Sequence, residues 1–406
     1  VEHFSVIQSL CRTGLETRDG RFRRQVERLR DRLRESGDEK GAGTIERLLK
    51  ASASEATLAP SVIEVSRSLV TGDELTANIH APADRETGAP LAEVVLAPAA
   101  GRPTPIYGPD IEKALGGILD EWLKTEHLKA MGIEPSRSCL IYGPPGTGKT
   151  LTAFTLAARL GLPIVNARID GLVSSFLGTT ARNIANLFEF ANRYRCVLVL
   201  DEFDALAKMR DDPHELGEIK RVVNTLLQNL DSRAGKGLTI AITNHEALLD
   251  PAVWRRFENH IRMTFPDGVT RVAMLKTFLA PLTLDDDVVK TLAFVAGERS
   301  GSDLKNFADF LKRNLALGDS GTTPPEVMAA ARTLLMRLGF ASDGIGAARL
   351  FLDDEPGFVG SVLNSEFTIK QESLAQMLVK SQSTVSRYAK EFLARGSTGA
   401  QVSHAE

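Results

Sequence analysis

Cysteine is scarce in this sequence. Its 406 residues hold three, Cys11, Cys139 and Cys196, with no short spacing among them. That excludes a disulfide scaffold or a cysteine-ligated zinc site and points to a reducing compartment. Long apolar runs are missing as well. None approaches the roughly 18 residues needed to span a bilayer, and the first residues lack a basic-then-apolar export pattern, so no membrane partner and a cytoplasmic location are expected. An excess of charge of one sign is also lacking: 49 Lys and Arg face 52 Asp and Glu, a net of −3. Any anionic partner must therefore be met by a local patch. With 43% hydrophobic and 25% charged residues, the composition is that of a folded chain of two or three domains.

Periodicity divides the chain. Within 1–51, Phe22, Val26, Leu29 and Leu33 fall on one face of an arginine-rich helix from Asp19 to Glu35. A second helix from Thr44 is placed to fold back on it as a hairpin. Residues 52–94, rich in Ala, Ser, Thr and Pro, read as a linker with one strand at most. From 95 to 266 the β-rich runs CLIYG, LPIVNAR, CVLVLDE and LTIAITN alternate with helices, the pattern of a parallel sheet covered by helices. Strands then stop. Helical stripes fill 267–340, where Thr323 and Glu326 predict a capping box, and a further helical region occupies 341–406.

The chemistry concentrates at GPPGTGKT, comprising Gly143, Pro144, Pro145, Gly146, Thr147, Gly148, Lys149 and Thr150. It follows a strand and opens a helix, so backbone N–H groups and the helix N-terminus converge on a phosphate chain. Lys149 would reach the terminal phosphates and the Thr150 hydroxyl would coordinate Mg²⁺. The alternative is a turn that merely contains glycines, and the complete pattern in its strand–loop–helix setting weighs against it. A second apolar strand ends in Asp201, placed to hold the Mg²⁺ shell, and Glu202, placed to polarise water for in-line attack. Alone, that Asp-Glu pair would read as a solvated strand end.

In this order GPPGTGKT, VLVLDE, AITN and LDPAVWRRFENHI resemble the AAA family of ATPases, in the branch that contains katanin, spastin and the vacuolar sorting ATPases, over roughly residues 95–320. The resemblance implies a P-loop α/β domain with helices on both faces, a helical lid, and ATP with Mg²⁺ as cofactors. It implies that Asn244 senses the γ-phosphate. Arg255 and Arg256 would be arginine fingers reaching the neighbouring subunit of a hexameric ring, and Gly301 and Ser302 would approach the nucleotide from the lid. The need for such arginines is physical: a guanidinium aimed at the equatorial phosphate oxygens is worth about 10³ to 10⁵ in rate. At Gly301–Ser302 of ERSGSDLKNF there is no arginine where other ATPase branches carry one, and by the resemblance this favours the protein-remodelling branch over DNA-loading relatives.

By the same resemblance Phe176, Leu177 and Gly178 form a pore loop that grips an extended polypeptide. No basic residue lies between Gly171 and Ala181, whereas a nucleic-acid channel would be lined with Lys and Arg. Buried packing is the other reading. Glu215, Glu218 and Lys220 fit a second pore loop or, equally, a solvated face.

At the C-terminus SLAQMLVKSQSTVSRY resembles helix-turn-helix DNA-binding modules of bacterial regulators. Gln382, Ser383, Thr384, Ser386 and Arg387 would then face DNA. Val379 stands where that turn usually has glycine. A helical hairpin packed on the lid gives the same spacing, and both readings stay open. The N-terminal layout looks like that of bacterial AAA ATPases encoded beside subtilisin-like serine proteases, which implies such a protease as a partner and a plasmid-maintenance or phage-defence setting. The basic N-terminal helix would recruit that partner or a substrate, or simply be a solvated face.

Overall fold

The structure, a computed structural model, describes residues 20–38, 41–46, 49, 70, 72–173, 177–207, 216–233, 237–317, 321–338 and 346–399. Residues 20–24, 35, 177–178, 207, 216–221, 338 and 395–399 are described by backbone alone. Residues 1–65 and 66–406 form separate compact units.

In the first unit α1 (Gly20–Glu35) buries Val26 and Leu33 against Ala42, Ile45 and Leu49. The returning helical residues 41–46 start at Gly41, whose N–H donates to Asp38 Oδ1, and Arg34 pairs with Glu46. This is the expected hairpin, with Phe22 described by backbone only.

The second unit carries one six-stranded sheet in the order β1-β3-β4-β5-β2-β6. Its strands are β1 (Ala92–Val95), β2 (Ser138–Tyr142), β3 (Ile164–Ala167), β4 (Val197–Leu200), β5 (Thr239–Thr243) and β6 (Asn259–Arg262). The four strands read from the sequence are β2 to β5, paired in parallel. Two differ from expectation. β1 runs antiparallel to β3, and β6 extends the sheet parallel to β2. Both are four-residue edge strands with charged or polar members, which leaves little β pattern to read. β4 and β5 are buried along their whole length, as central strands covered on both faces are.

The covering helices are α2 (Pro109–Leu123), α3 (Thr125–Ala130), α4 (Lys149–Leu160), α5 (Ile169–Leu172), α6 (Leu177–Arg193), α7 (Asp204–Ala207), α8 (Leu216–Arg233) and α9 (Pro251–Trp254). α6 packs Ile184, Leu187, Phe188 and Ala191 into the core that α8 joins through Val222, Val223, Leu226 and Leu230. The linker contributes more than a tether: Leu75 and Leu91 lie in that same core, and residues 82–91 close a small hairpin through Leu91 N–H to Pro82 O and Asp84 N–H to Ala89 O.

Beyond the sheet come α10 (Gly268–Leu279), α11 (Asp286–Ala296), α12 (Gly301–Leu317), α13 (Pro324–Leu338), α14 (Ala347–Asp353), α15 (Glu355–Leu363), α16 (Gln371–Met377) and α17 (Gln382–Gly399). Thr323 N–H donates to Glu326, one half of the expected capping box. A single hydrophobic core runs from Leu275 through Leu335 and on to Phe358, Phe367, Leu374, Met377 and Val385. The last helices are thus packed into the lid core rather than hung from it. At the hinge, the buried Arg271 of α10 pairs with Glu366.

Candidate functional site

Parallel pairing decides where the chemistry lies. β2 ends at Tyr142, opposite Thr243 of β5, and Leu200 of β4 lies opposite Ala241. The residues that follow these strands, Gly143, Asn244 and Asp201, therefore gather at one edge, the carboxyl edge at which α/β sheets take ligands.

Gly143 (φ 134), Gly146 (φ 75) and Gly148 (φ 92) let the chain curl there. A methyl on Gly143 would strike the Met263 carbonyl, so the close approach itself demands glycine. The N–H groups of Gly146, Thr147 and Gly148 make no hydrogen bond among the described residues. They precede the N-terminus of α4, and a phosphate would satisfy them. Lys149 is buried, its ammonium donating to the carbonyls of Gly143 (2.8 Å) and Pro144 (2.7 Å). Burial pulls this ammonium below its ordinary pKa, while Asp201, Glu246 and Asp204 pull it back up. Thr147 Oγ1 donates to Pro144 O and braces the turn.

The Thr150 hydroxyl donates to Asp201 Oδ2 at 2.7 Å. This hydroxyl and carboxylate are the pair that would hold a hydrated Mg²⁺, which takes one or two protein groups and completes its shell with water and phosphate oxygens. No cluster of three or more His, Cys, Asp or Glu fit to hold a metal occurs among the described residues. Asp201 Oδ1 accepts from Glu202 N–H. Glu202 is exposed and left-handed at φ 51, a conformation that costs a non-glycine residue energy and collects at functional sites. Thr243 Oγ1 donates to Asp204 Oδ1 at 2.7 Å and accepts from His245 N–H, bracing the turn that exposes Asn244. This Asp204–Thr243 support was not read from the sequence, though each residue adjoins a motif that was. From the lid, Ser302 N–H donates to Gly146 O at 3.1 Å. Ser300 Oγ, bonded to Asp303 Oδ2 and within 3.0 Å of Ser302 Oγ, steadies this start of α12. Gly301 lies against Gly146 O and Met274.

Two expected site residues lie elsewhere. Arg255 and Arg256 follow α9 and precede β6, and Ser138 Oγ donates to Arg256 O. They thus sit at the amino edge of the sheet, the length of β2 away from Gly143, about 16 Å at a strand's rise. Arg256 pairs with Asp231 (3.1 Å), and Arg255 is exposed with no partner among the described residues.

The other candidates divide. Phe176 and Glu215 lie outside the described residues. Leu177 and Gly178 are the first residues of α6, not loop, because the apolar spacing at Ile184, Leu187 and Phe188 carries the helix back to them. At the C-terminus Ser381 Oγ accepts from Thr384 N–H as a cap, and Gln382, Ser383 and Arg387 are exposed while Thr384 and Ser386 are half-buried.

Comparison with known proteins adds the family. Residues 139–265 match the ATPase family associated with various cellular activities (AAA). An uncharacterized AAA family ATPase, y4kL, of Sinorhizobium fredii is 43% identical over 175 residues, covering 43% of this chain and 53% of the relative. A proteasome-activating nucleotidase of Methanocella arvoryzae is 35% identical over 190 residues, 45% of this chain and 46% of its own. The ATP-dependent zinc metalloprotease FtsH 1 of Symbiobacterium thermophilum is 34% identical over 205 residues, 48% and 34%. The chain spans about half or less of the length of these relatives. With the phosphate loop, the Thr150–Asp201 pair and Glu202 all inside or beside the matched segment, residues 139–265 are an ATPase domain of the AAA family.

Proposed function

We propose that this chain is a cytoplasmic, Mg²⁺-ATP-driven ring ATPase, most simply a hexamer, that draws a polypeptide through a central pore lined by Phe176, Leu177 and Gly178 and serves a partner protease. The observation that carries the reading is the separation of the arginine pair from the phosphate cradle by the length of a strand. One chain's Arg255 does not complete its own site, whereas a neighbour's amino edge set against the carboxyl edge would. Asn244 and Glu202 then place the attacking water, Asp201 and Thr150 hold the metal, and Gly301 and Ser302 carry the nucleotide's state into the lid. Two relatives named for proteasome activation and ATP-dependent proteolysis support a polypeptide substrate and a protease partner. Glu202→Gln should bind ATP and assemble without releasing phosphate, and Phe176→Ala should lose polypeptide-stimulated turnover. Undiminished phosphate release by Glu202→Gln overturns the hydrolytic assignment.

One observation favours a second role at the C-terminus. Val379 is left-handed at φ 56, the backbone that a helix-turn-helix turn requires, and it aims Gln382, Ser383 and Arg387 outward while Leu374, Ala375 and Val385 stay buried. Duplex DNA is the partner this face would take. Binding of a mixed-sequence duplex that weakens with salt and with Arg387→Ala supports that role, and no binding at low salt removes it.

A further inference from the structure

The hairpin at residues 82–91 ends in a polar contact that its surroundings do not demand. Asp84 is 3% exposed and Asn183 of α6 is 1% exposed. Asp84 Oδ1 accepts from the N–H groups of Glu86 (2.7 Å) and Thr87 (3.0 Å), and its Oδ2 accepts from Asn183 Nδ2 (2.7 Å). No cation pairs with this carboxylate among the described residues. A buried carboxylate whose two oxygens are taken up by its own turn and by a side chain of another element ties those elements together, so its position is informative.

That position brackets the proposed substrate-gripping segment, residues 173–178, which follows Leu172 of α5 and runs into α6. On the leading side Gly171 is pressed so closely on the Pro90 carbonyl that a methyl would collide with it, Arg168 N–H donates to Leu91 O, and Asn183 Nδ2 also reaches Gly171 O (3.4 Å). On the trailing side Thr179 Oγ1 donates to Glu86 Oε1 (3.3 Å). The far end of α6 is fixed as well: the buried Arg233 of α8 donates to Ala191 O and Cys196 O. The described residues on both sides of 174–176 therefore rest on one hairpin, and a single side chain, Asn183 of α6, reaches both the hairpin and Gly171.

We propose that hairpin 82–91 is the pedestal of the substrate-gripping segment, with Asp84 and Asn183 as positioning residues that hold Gly171 and α6, the described residues on either side of it. The inference rests on the pore reading above and deepens it: residues 82–91, read from the sequence as linker, would be a part of the gripping device.

Asn183→Asp sets a second carboxylate against the first. The swap Asp84→Asn with Asn183→Asp restores one donor facing one acceptor, although not the weaker bond to Gly171. In the full chain, hydrogen–deuterium exchange at residues 173–178 should quicken about tenfold in Asn183→Asp and largely recover in the swap. The increment in ATP turnover caused by casein, used as an unfolded probe polypeptide, should fall and recover in parallel, with turnover in the absence of casein unchanged. Should Asn183→Asp fold poorly, Glu86→Gln with Thr179→Ala removes the part-buried Thr179–Glu86 link alone and should quicken the same amides. Unchanged exchange at 173–178 in these variants, or no recovery in the swap, overturns the pedestal. If Phe176→Ala loses casein stimulation while Asn183→Asp keeps it, this inference fails and the pore reading stands. If Phe176→Ala keeps stimulation, the pore reading fails, and exchange alone still decides whether the hairpin positions the loop.

Discussion

Two residues outside glycine hold a left-handed backbone next to a site of interest, and they invite opposite treatment. Glu202, in the proposed reading, has a chemical task that glycine could not perform. Val379 has none that its side chain supplies: it is 76% exposed, and a β-branched residue at φ 56 is strained. Val379→Gly should therefore stabilise the protein by about 1 kcal/mol, read as a higher denaturation midpoint, and should leave the exposed face of α17 in place. Asp84 makes a pH prediction. The Asn183 amide, then the N–H groups of Thr87 and Glu86, hold its carboxyl below the ordinary 3.8 against the opposing effect of burial. The stability it contributes is present above 3.8 and is lost as pH falls through the lower folded value. Asp84→Asn should accordingly lose less stability than the parent on acidification below about pH 4, measured by denaturant unfolding at matched pH values.

At the scale of elements, the shared core makes the C-terminal helices part of the lid. Deleting residues 365–406 would strip Phe367, Ile369, Leu374, Met377 and Val385 from it. At about 1.5–3 kcal/mol for each buried apolar side chain, the loss is comparable to a domain's entire margin of about 5–15 kcal/mol. The truncated chain should show rapid proteolysis within 267–364, and a lid that stays resistant would contradict the single core. The same elements show what the sequence makes legible. β2 to β5 and α10 to α13 announce themselves because each carries its own apolar period, and GPPGTGKT because its spacing is the site. β1, β6 and hairpin 82–91 do not. Edge strands of four residues hold too little pattern, and the information in Asp84 lies in a partner 99 positions away. Asp201 and Glu202 were readable from a strand end, whereas the Asp204–Thr243 brace appears only once β4 and β5 are paired.

At the scale of the whole molecule, the opposed sheet edges predict complementation. Glu202→Gln lacks the proposed water-activating group but offers Arg255, and Arg255→Ala lacks the guanidinium but keeps an intact cradle. Mixed, the two should turn over more ATP than the sum of each alone, and turnover per chain of the parent should rise with concentration. A mixture no more active than its parts would place the arginine in its own subunit's site. One further consequence follows from the Arg271–Glu366 pair beside the hinge. It fastens the C-terminal helices to the first helix beyond the sheet, and α17, at 18 residues, is about 27 Å long. Dyes on α17 and on α2 should change separation with nucleotide, and a constant separation would dismiss the motion. Seen this way α17 is an oar pinned at the Arg271–Glu366 pair, so a load lashed to its blade would be hauled along an arc at every stroke of the fuel cycle.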